Sequence, residues 1–155
     1  MYDSGKDLVD ALRATPDVLD ALLDGVTQAQ AQAARGGDEN WSIVEVICHL
    51  RDAETRALER EQAIRDEDHP FLAAYDQAAW ARDYDYASQD LRTALDEFKA
   101  VRARRLALLE GLSLDQWQRS GRHEEQGDIT LQAHVLHIAA HDLVHLAQIG
   151  RQLRS

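Results

Sequence analysis

Two prolines, Pro16 and Pro70, and eight glycines are all the strong breakers in a chain of 155 residues. A chain with so few interruptions can run in long helices, and its dominant residues (Ala, Leu, Glu, Gln and Arg) are good helix formers. The periodicity of the apolar residues agrees. Leu8, Leu12, Leu19, Leu22, Leu23 and Val26 form one stripe over roughly 5–30. Thr15-Pro16-Asp17 reads there as an N-cap followed by proline, so this segment is expected to kink or split. A second helix is expected from Ser42 to about Asp66. Ser42 with Glu45 spells a capping box, and Trp41 with Val46 a hydrophobic staple. A third runs roughly from 88 to 110, with Leu91, Ala94, Leu95, Phe98 and Val101 as its stripe and Gly111 at its end. The fourth runs roughly from 130 to 152 behind Thr130. Residues 66–87 read as a long crossover with a short helix near 72–81, Ser113–Trp117 as one helical turn, and Gly121 and Gly127 as brackets of a loop. The expected fold is a single all-α domain over 1–155, an up-down four-helix bundle with a long crossover between its second and third helices.

Hydrophobic residues make up 45% of the chain, enough for a buried core at this length. The net charge of −11 speaks against nucleic acid and against anionic membrane surfaces, since both need a basic face. The single cysteine, Cys48, rules out an internal disulfide and reads as a small buried hydrophobe. No apolar run approaches the roughly 20 residues of a membrane helix, and the first residues lack the pattern of a secretory signal. Arginine far outnumbers lysine, which occurs only at Lys6 and Lys99; with so much alanine this suggests a GC-rich bacterial genome. A cytoplasmic bacterial protein is the expectation.

The histidines carry the chemistry. Four of the seven, His134, His137, His141 and His145, fall on the last helix. At about 100° per residue they lie within an arc of about 80°, one stripe beside apolar residues. Imidazoles lined up in a core need partners, and a metal ion is an effective one. Two pairs have the four-residue spacing that lets both rings reach one ion, His137 with His141 and His141 with His145. Spacing alone does not choose between them. A third ligand has to come from another helix, and His49 is the only histidine inside the second. Glu45 and Asp52, one turn either side of His49, are candidates to orient its ring or a metal-bound water, and His137 to pass on a proton. The chain has no Glu-x-x-His, which counts against a di-iron bundle. His141-Asp142-Leu143-Val144-His145 has Asp where a zinc protease has Glu and no downstream ligand, which counts against a protease.

Two blocks resemble a known family. One is Trp41-Ser42 followed by His49-Leu50-Arg51-Asp52-Ala53-Glu54. The other is Gly127-Asp128-Ile129-Thr130-Leu131 leading into His141-Asp142-Leu143-Val144-His145-Leu146-Ala147-Gln148. In this order and spacing they are similar to the DinB-like superfamily of bacterial four-helix bundles, across nearly the whole chain. The resemblance implies a metal triad of His49, His141 and His145, with zinc or nickel as the ion and His137 and Gln148 as neighbours. It also implies a homodimer. Characterised relatives are transferases or isomerases that depend on low-molecular-weight thiols such as bacillithiol, mycothiol or glutathione. The expected function is thus a divalent-metal-dependent enzyme, with transfer of a low-molecular-weight thiol onto a small electrophile as the reaction the resemblance suggests. The rival expectation is a non-catalytic metal-binding or stress-related interaction bundle, its acidic surface and aromatic crossover serving a partner.

Overall fold

In a computed structural model, residues 4–155 are described. Four long helices make the frame: α1 (Ser4–Leu23), α3 (Ile43–Asp66), α5 (Leu91–Glu110) and α7 (Leu131–Arg154). Short helices α2 (Gln28–Ala33), α4 (Gln77–Asp83) and α6 (Leu114–Trp117) lie in the connections, with a 3₁₀ turn at Tyr86–Ser88. The helix starts follow local chemistry. Ser42 accepts from the Glu45 backbone N–H while Glu45 accepts from Ser42 N–H, which completes the expected capping box. Ser113 makes a second capping box with Gln116 at α6, and the side chains of Asp90 and Thr130 accept from the Thr93 and Ala133 backbone N–H groups to cap α5 and α7.

Pro16 behaves unlike its sequence reading. α1 runs unbroken through it, and the break comes at Gly25, which has φ +72°. A proline inside a helix leaves the carbonyl four residues earlier without its donor. That carbonyl belongs to Leu12, and Nη1 of Arg102 donates to it at 2.7 Å. Thr15 is therefore no N-cap. It is buried in mid-helix, and its hydroxyl donates to Asp142 at 2.8 Å.

α3 packs against α5 and α7, and α1 against the same two helices. One apolar cluster joins Leu19 and Leu23 of α1 to Ile43–Leu50 of α3, Leu91–Phe98 of α5 and Ile149 of α7. The other joins Val9 and Leu12 to Ile64, Leu109, Leu131 and Val135. These memberships set the directions: the crossover carries the chain back to the end where α3 began, so α5 runs parallel to α3 while α1 and α7 run the opposite way.

The segment expected as a loop around Gly121 and Gly127 is a hairpin. β4 (Ser120–His123) pairs antiparallel with β5 (Gly127–Thr130), and β3 (Phe71–Leu72) adds parallel to β4. Strand alternation is weak over four polar residues, which is why periodicity misses it. Two-residue strands β1 (Arg35–Gly36) and β2 (Trp41–Ser42) close the turn ahead of α3. No helix of the described residues is long and apolar enough to cross a membrane.

Between the two apolar clusters lies a buried ion network. Arg102 and Arg105 of α5 are wholly buried, as is Glu61, and Glu54 and Asp142 nearly so. Arg102 uses all five of its N–H donors, on Glu54, Asp142 and the Leu12 carbonyl. Arg105 grips Glu61 with two bonds of 2.6 Å and also reaches Glu54. Burial alone would raise the Glu61 pKa; Arg105 and the bond from His134 outweigh it and hold that carboxyl below its usual range.

Candidate metal centre

α3 supplies His49 and α7 supplies His141 and His145. Nε2 of His141 lies 2.9 Å from Nε2 of His49 and 3.1 Å from Nε2 of His145. All three nitrogens fall within 4.8 Å of one another. His49 is buried, with Trp41 tilted against its ring at 5.1 Å between centroids, and the other two are half-buried. Around a tetrahedral ion with bonds of about 2.0–2.1 Å, ligand nitrogens stand about 3.3 Å apart, so only a small outward movement separates this arrangement from a ligand set.

Gln148 decides the proton position on one ring. Its Nε2 donates to the carbonyl of Gly36 at 3.3 Å, which leaves its Oε1 facing His145. An amide oxygen only accepts, so Nδ1 of His145, 2.9 Å away, is the donor and its Nε2 carries a bare lone pair aimed at His141. Hydrogen bonding can place one proton between two of the three converging nitrogens at a time; a divalent cation satisfies all three lone pairs together. The donor set therefore fits a metal ion, with the histidine orientation fixed by a neighbouring hydrogen bond, as is usual for such ligands. The loop makes this possible. Gly37 has φ +75°, and a Cβ there would stand 2.6 Å from Nε2 of Gln148. Replacing Gln148 with leucine is expected to weaken metal affinity about 10–100-fold with little change in fold. Competition against a chelating dye measures this directly.

Burial, reinforced by the other two rings, pushes the pKa of His49 well below its ordinary value. Burial brings His141 down to about 3, and it lowers His145 in spite of the opposing hydrogen bond to Gln148. Neutral imidazoles are what a metal requires. In the unfolded chain these rings take up protons near pH 6.5, while the folded metal-free protein resists until far lower pH. The unfolded state then binds more protons, so stability is expected to fall as pH drops from about 6.5 towards 3, and chemical unfolding at stepped pH reads it.

The sequence candidates around His49 are bonded elsewhere. Glu45 caps α3 and pairs with Arg35 at 3.0 Å. Asp52 accepts from the Tyr86 hydroxyl and from Arg51, and it faces a cleft of about 790 Å³ that contains none of the three histidines. Neither bonds His49, contrary to the reading from helix spacing: one turn along a helix shares a face, but the capping box and Arg51 take these carboxylates first. His137 is exposed and stands on a cavity of about 190 Å³ that His141 also lines. Cys48 is fully buried, and burial pushes its thiol up to about 12, so it is no nucleophile at neutral pH.

Sequence reasoning missed Arg102, Arg105, Glu54, Glu61 and Asp142. The signal was present. Positions 91, 95, 98, 102, 105 and 109 continue one core stripe, as do 47, 50, 54, 57, 61 and 64. Basic residues interrupt the first stripe and acidic residues the second.

A model of the DinB superfamily matches residues 11–149. The chain belongs to the DinB superfamily. A candidate metal-dependent hydrolase of Oceanobacillus iheyensis is 32% identical over 109 residues, 70% of this chain and 63% of that protein, so the match spans less than two thirds of the relative. The candidate metal-dependent hydrolase YfiT of Bacillus subtilis is 24% identical over 94% of this chain and 83% of its own. The solved structure of YfiT, described as a probable metal-dependent hydrolase with an unusual four-helix bundle topology, superposes with a TM-score of 0.81 at 24% identity, covering 95% of this chain and 86% of that one. A mycothiol-dependent maleylpyruvate isomerase superposes with a TM-score of 0.78 at 12% identity, over 97% of this chain and 64% of that one. At these identities the two structures speak for the fold, that of the expected four-helix bundle.

Proposed function

We propose that His49, His141 and His145 hold one divalent ion and that this DinB superfamily protein is a metal-dependent enzyme acting on a small electrophile. The observation that carries the reading is the convergence of three Nε2 atoms, one with its lone pair fixed by Gln148. Three protein ligands leave room for a further group, which is the pattern of catalytic rather than structural sites. The bound ion would supply acidity, lowering the pKa of a water or a thiol so that it attacks at neutral pH. The chain's own part is to hold three neutral rings, to keep the His145 proton on Nδ1, and to leave His141 open to the adjoining cavity. The names of the hydrolase relatives support water as the nucleophile. The finer form of the proposal, transfer of a low-molecular-weight thiol, draws on the family resemblance and on the name of the mycothiol-dependent isomerase.

Metal content per chain, by mass spectrometry on untagged wild type and His145→Ala, tests the centre; about one zinc or nickel ion, lost in the variant, is expected. Turnover of an ester panel and of electrophiles supplied with bacillithiol, mycothiol or glutathione then separates hydrolysis from thiol transfer. Stoichiometric metal without turnover of either kind would favour a metal-binding protein that is not an enzyme.

A further inference from the structure

α7 turns one side to the core, and its outward side is apolar as well. Leu136, Leu143 and Val144 are 58%, 68% and 61% exposed, and Ala133, Ala140 and Ala147 are exposed beside them. From Leu131 to Gly150 this outward side carries no Asp, Glu, Lys or Arg, although 29% of the chain is charged. α5, by contrast, presents Arg92, Asp96, Glu97, Arg104 and Glu110 to solvent. A lone exposed leucine is ordinary, whereas a continuous charge-free stripe along a helix marks a surface that something covers. Gly150 is a second, independent sign. It lies inside α7, where glycine is less stable than alanine, yet a Cβ there would meet nothing within 4 Å. No atom of the described residues stands in the way of a side chain. A bare backbone is useful at that position when another backbone comes close from outside.

The order of sizes along the stripe names the occupant. At steps of three and four residues it reads Ala133, Leu136, Ala140, Leu143, Ala147, Gly150. Laid antiparallel on a copy of itself, about a two-fold axis between His141 and Asp142, it sets large against small. Leu136 faces the partner's Ala147, Leu143 faces the partner's Ala140, and Ala133 faces the partner's Gly150. Charge agrees. Asp7 of α1 lies beside the start of the stripe, where it lines one groove with Ala133 and Leu136. Arg151 and Arg154 stand exposed at its other end. The same axis carries the partner's Arg151 to Asp7 and the partner's Asp7 to Arg151. Ala11, Ala14 and Val18 follow Asp7 at helical spacing, exposed, and widen the patch along α1. An anionic membrane is a poor occupant for a chain of net charge −11.

We propose that the outward face of α7, with the adjoining side of α1, is where a second copy of this chain docks, its α7 antiparallel to the first and Gly150 at each end of the helix contact. His141 and His145 point the other way, towards His49 of α3, so the interface stands or falls independently of the metal reading.

Sedimentation velocity over a range of concentrations, on untagged protein with and without zinc, reads the assembly. The wild type is expected to dimerise in both conditions. Leu143→Glu sets a carboxylate against the partner's Ala140, and Gly150→Leu fills the space that the single chain leaves open; each should weaken dimerisation at least about tenfold. Circular dichroism should show the helices intact in both, and Gly150→Leu keeps the test decisive because leucine is the better helix former. Asp7→Arg and Arg151→Asp should each weaken the dimer as well, and the double variant should recover it, since the opposite charges then meet in reversed order. A wild type that stays monomeric at every concentration would overturn the proposal. So would a dimer that Leu143→Glu and Gly150→Leu leave unchanged, or a double variant no tighter than the single ones. A monomer that floats with phosphatidylcholine vesicles would overturn it in favour of a lipid surface.

Discussion

Arg102→Leu is expected to lower the unfolding free energy by about 3–5 kcal/mol, the range found when one partner of a buried ion pair is removed. Arg102 is wholly buried and spends five donors on Glu54, Asp142 and the Leu12 carbonyl. Leucine leaves Asp142 with only the Thr15 hydroxyl, leaves Glu54 on the outer reach of Arg105, and reopens the backbone gap made by Pro16. A domain of this kind has about 5–15 kcal/mol in total, so the loss is at least about a fifth of it. Urea unfolding measures it, with Arg13→Ala as the comparison. The pair of Arg13 with Glu110 lies on the surface, about half exposed on both sides, where solvent screens it, so its loss should cost far less. A cost for Arg102→Leu no larger than that of Arg13→Ala would mean that the network contributes no more than that exposed pair. The network also has a bearing on the site. Asp142 sits next to His141 and is clamped by Arg102, so the bonds that tie α7 to α5 across the core help to set the rotation that turns His141 and His145 towards His49.

Chelation is expected to have the second large effect. A ligand that binds only the folded state stabilises it by about 4 kcal/mol when free ligand exceeds Kd a thousandfold. For a domain of about 150 residues each kcal/mol moves Tm by roughly 2–4 °C. Stripping a tightly bound ion should thus lower Tm by about 8–16 °C, and adding zinc back should restore it. His49→Ala, His141→Ala and His145→Ala should each give a Tm that neither chelator nor zinc changes. A wild-type Tm indifferent to both would remove the metal centre and leave the bundle intact. Because the three rings crowd within 4.8 Å, the metal-free protein should also show the acid sensitivity described above, whereas a loaded protein should hold its stability until protons displace the ion.

Much of this molecule is legible along the chain because helix-forming information is local. The capping box of Ser42 and Glu45 and the cap at Thr130 act over three or four residues, and each appears where the sequence places it. The apolar stripes are as local, and most of their residues enter the core, although Val101 lines the cleft beside Asp52 instead. The stripe of histidines on α7 is local in the same sense, and so is the acidic, breaker-poor composition. What the chain could not decide alone depends on partners far away. Spacing left His137 and His141 level with His141 and His145. The family resemblance preferred the second pair, but the physical choice lies in how α7 is rotated against α3, through contacts such as Arg102 with Asp142 across 40 residues. Pro16 predicts a break until Arg102, 90 residues from Leu12, supplies the missing donor. Glu45 and Asp52 share the face of His49 yet are taken by a cap, by Arg51 and by a tyrosine 34 residues from Asp52. The sequence by itself determined the four long helices, the starts of the second and the fourth, and the set of chemically able side chains. The tertiary structure decided which of those side chains meet, because burying a charge or a lone pair is tolerable only where a distant partner arrives to satisfy it.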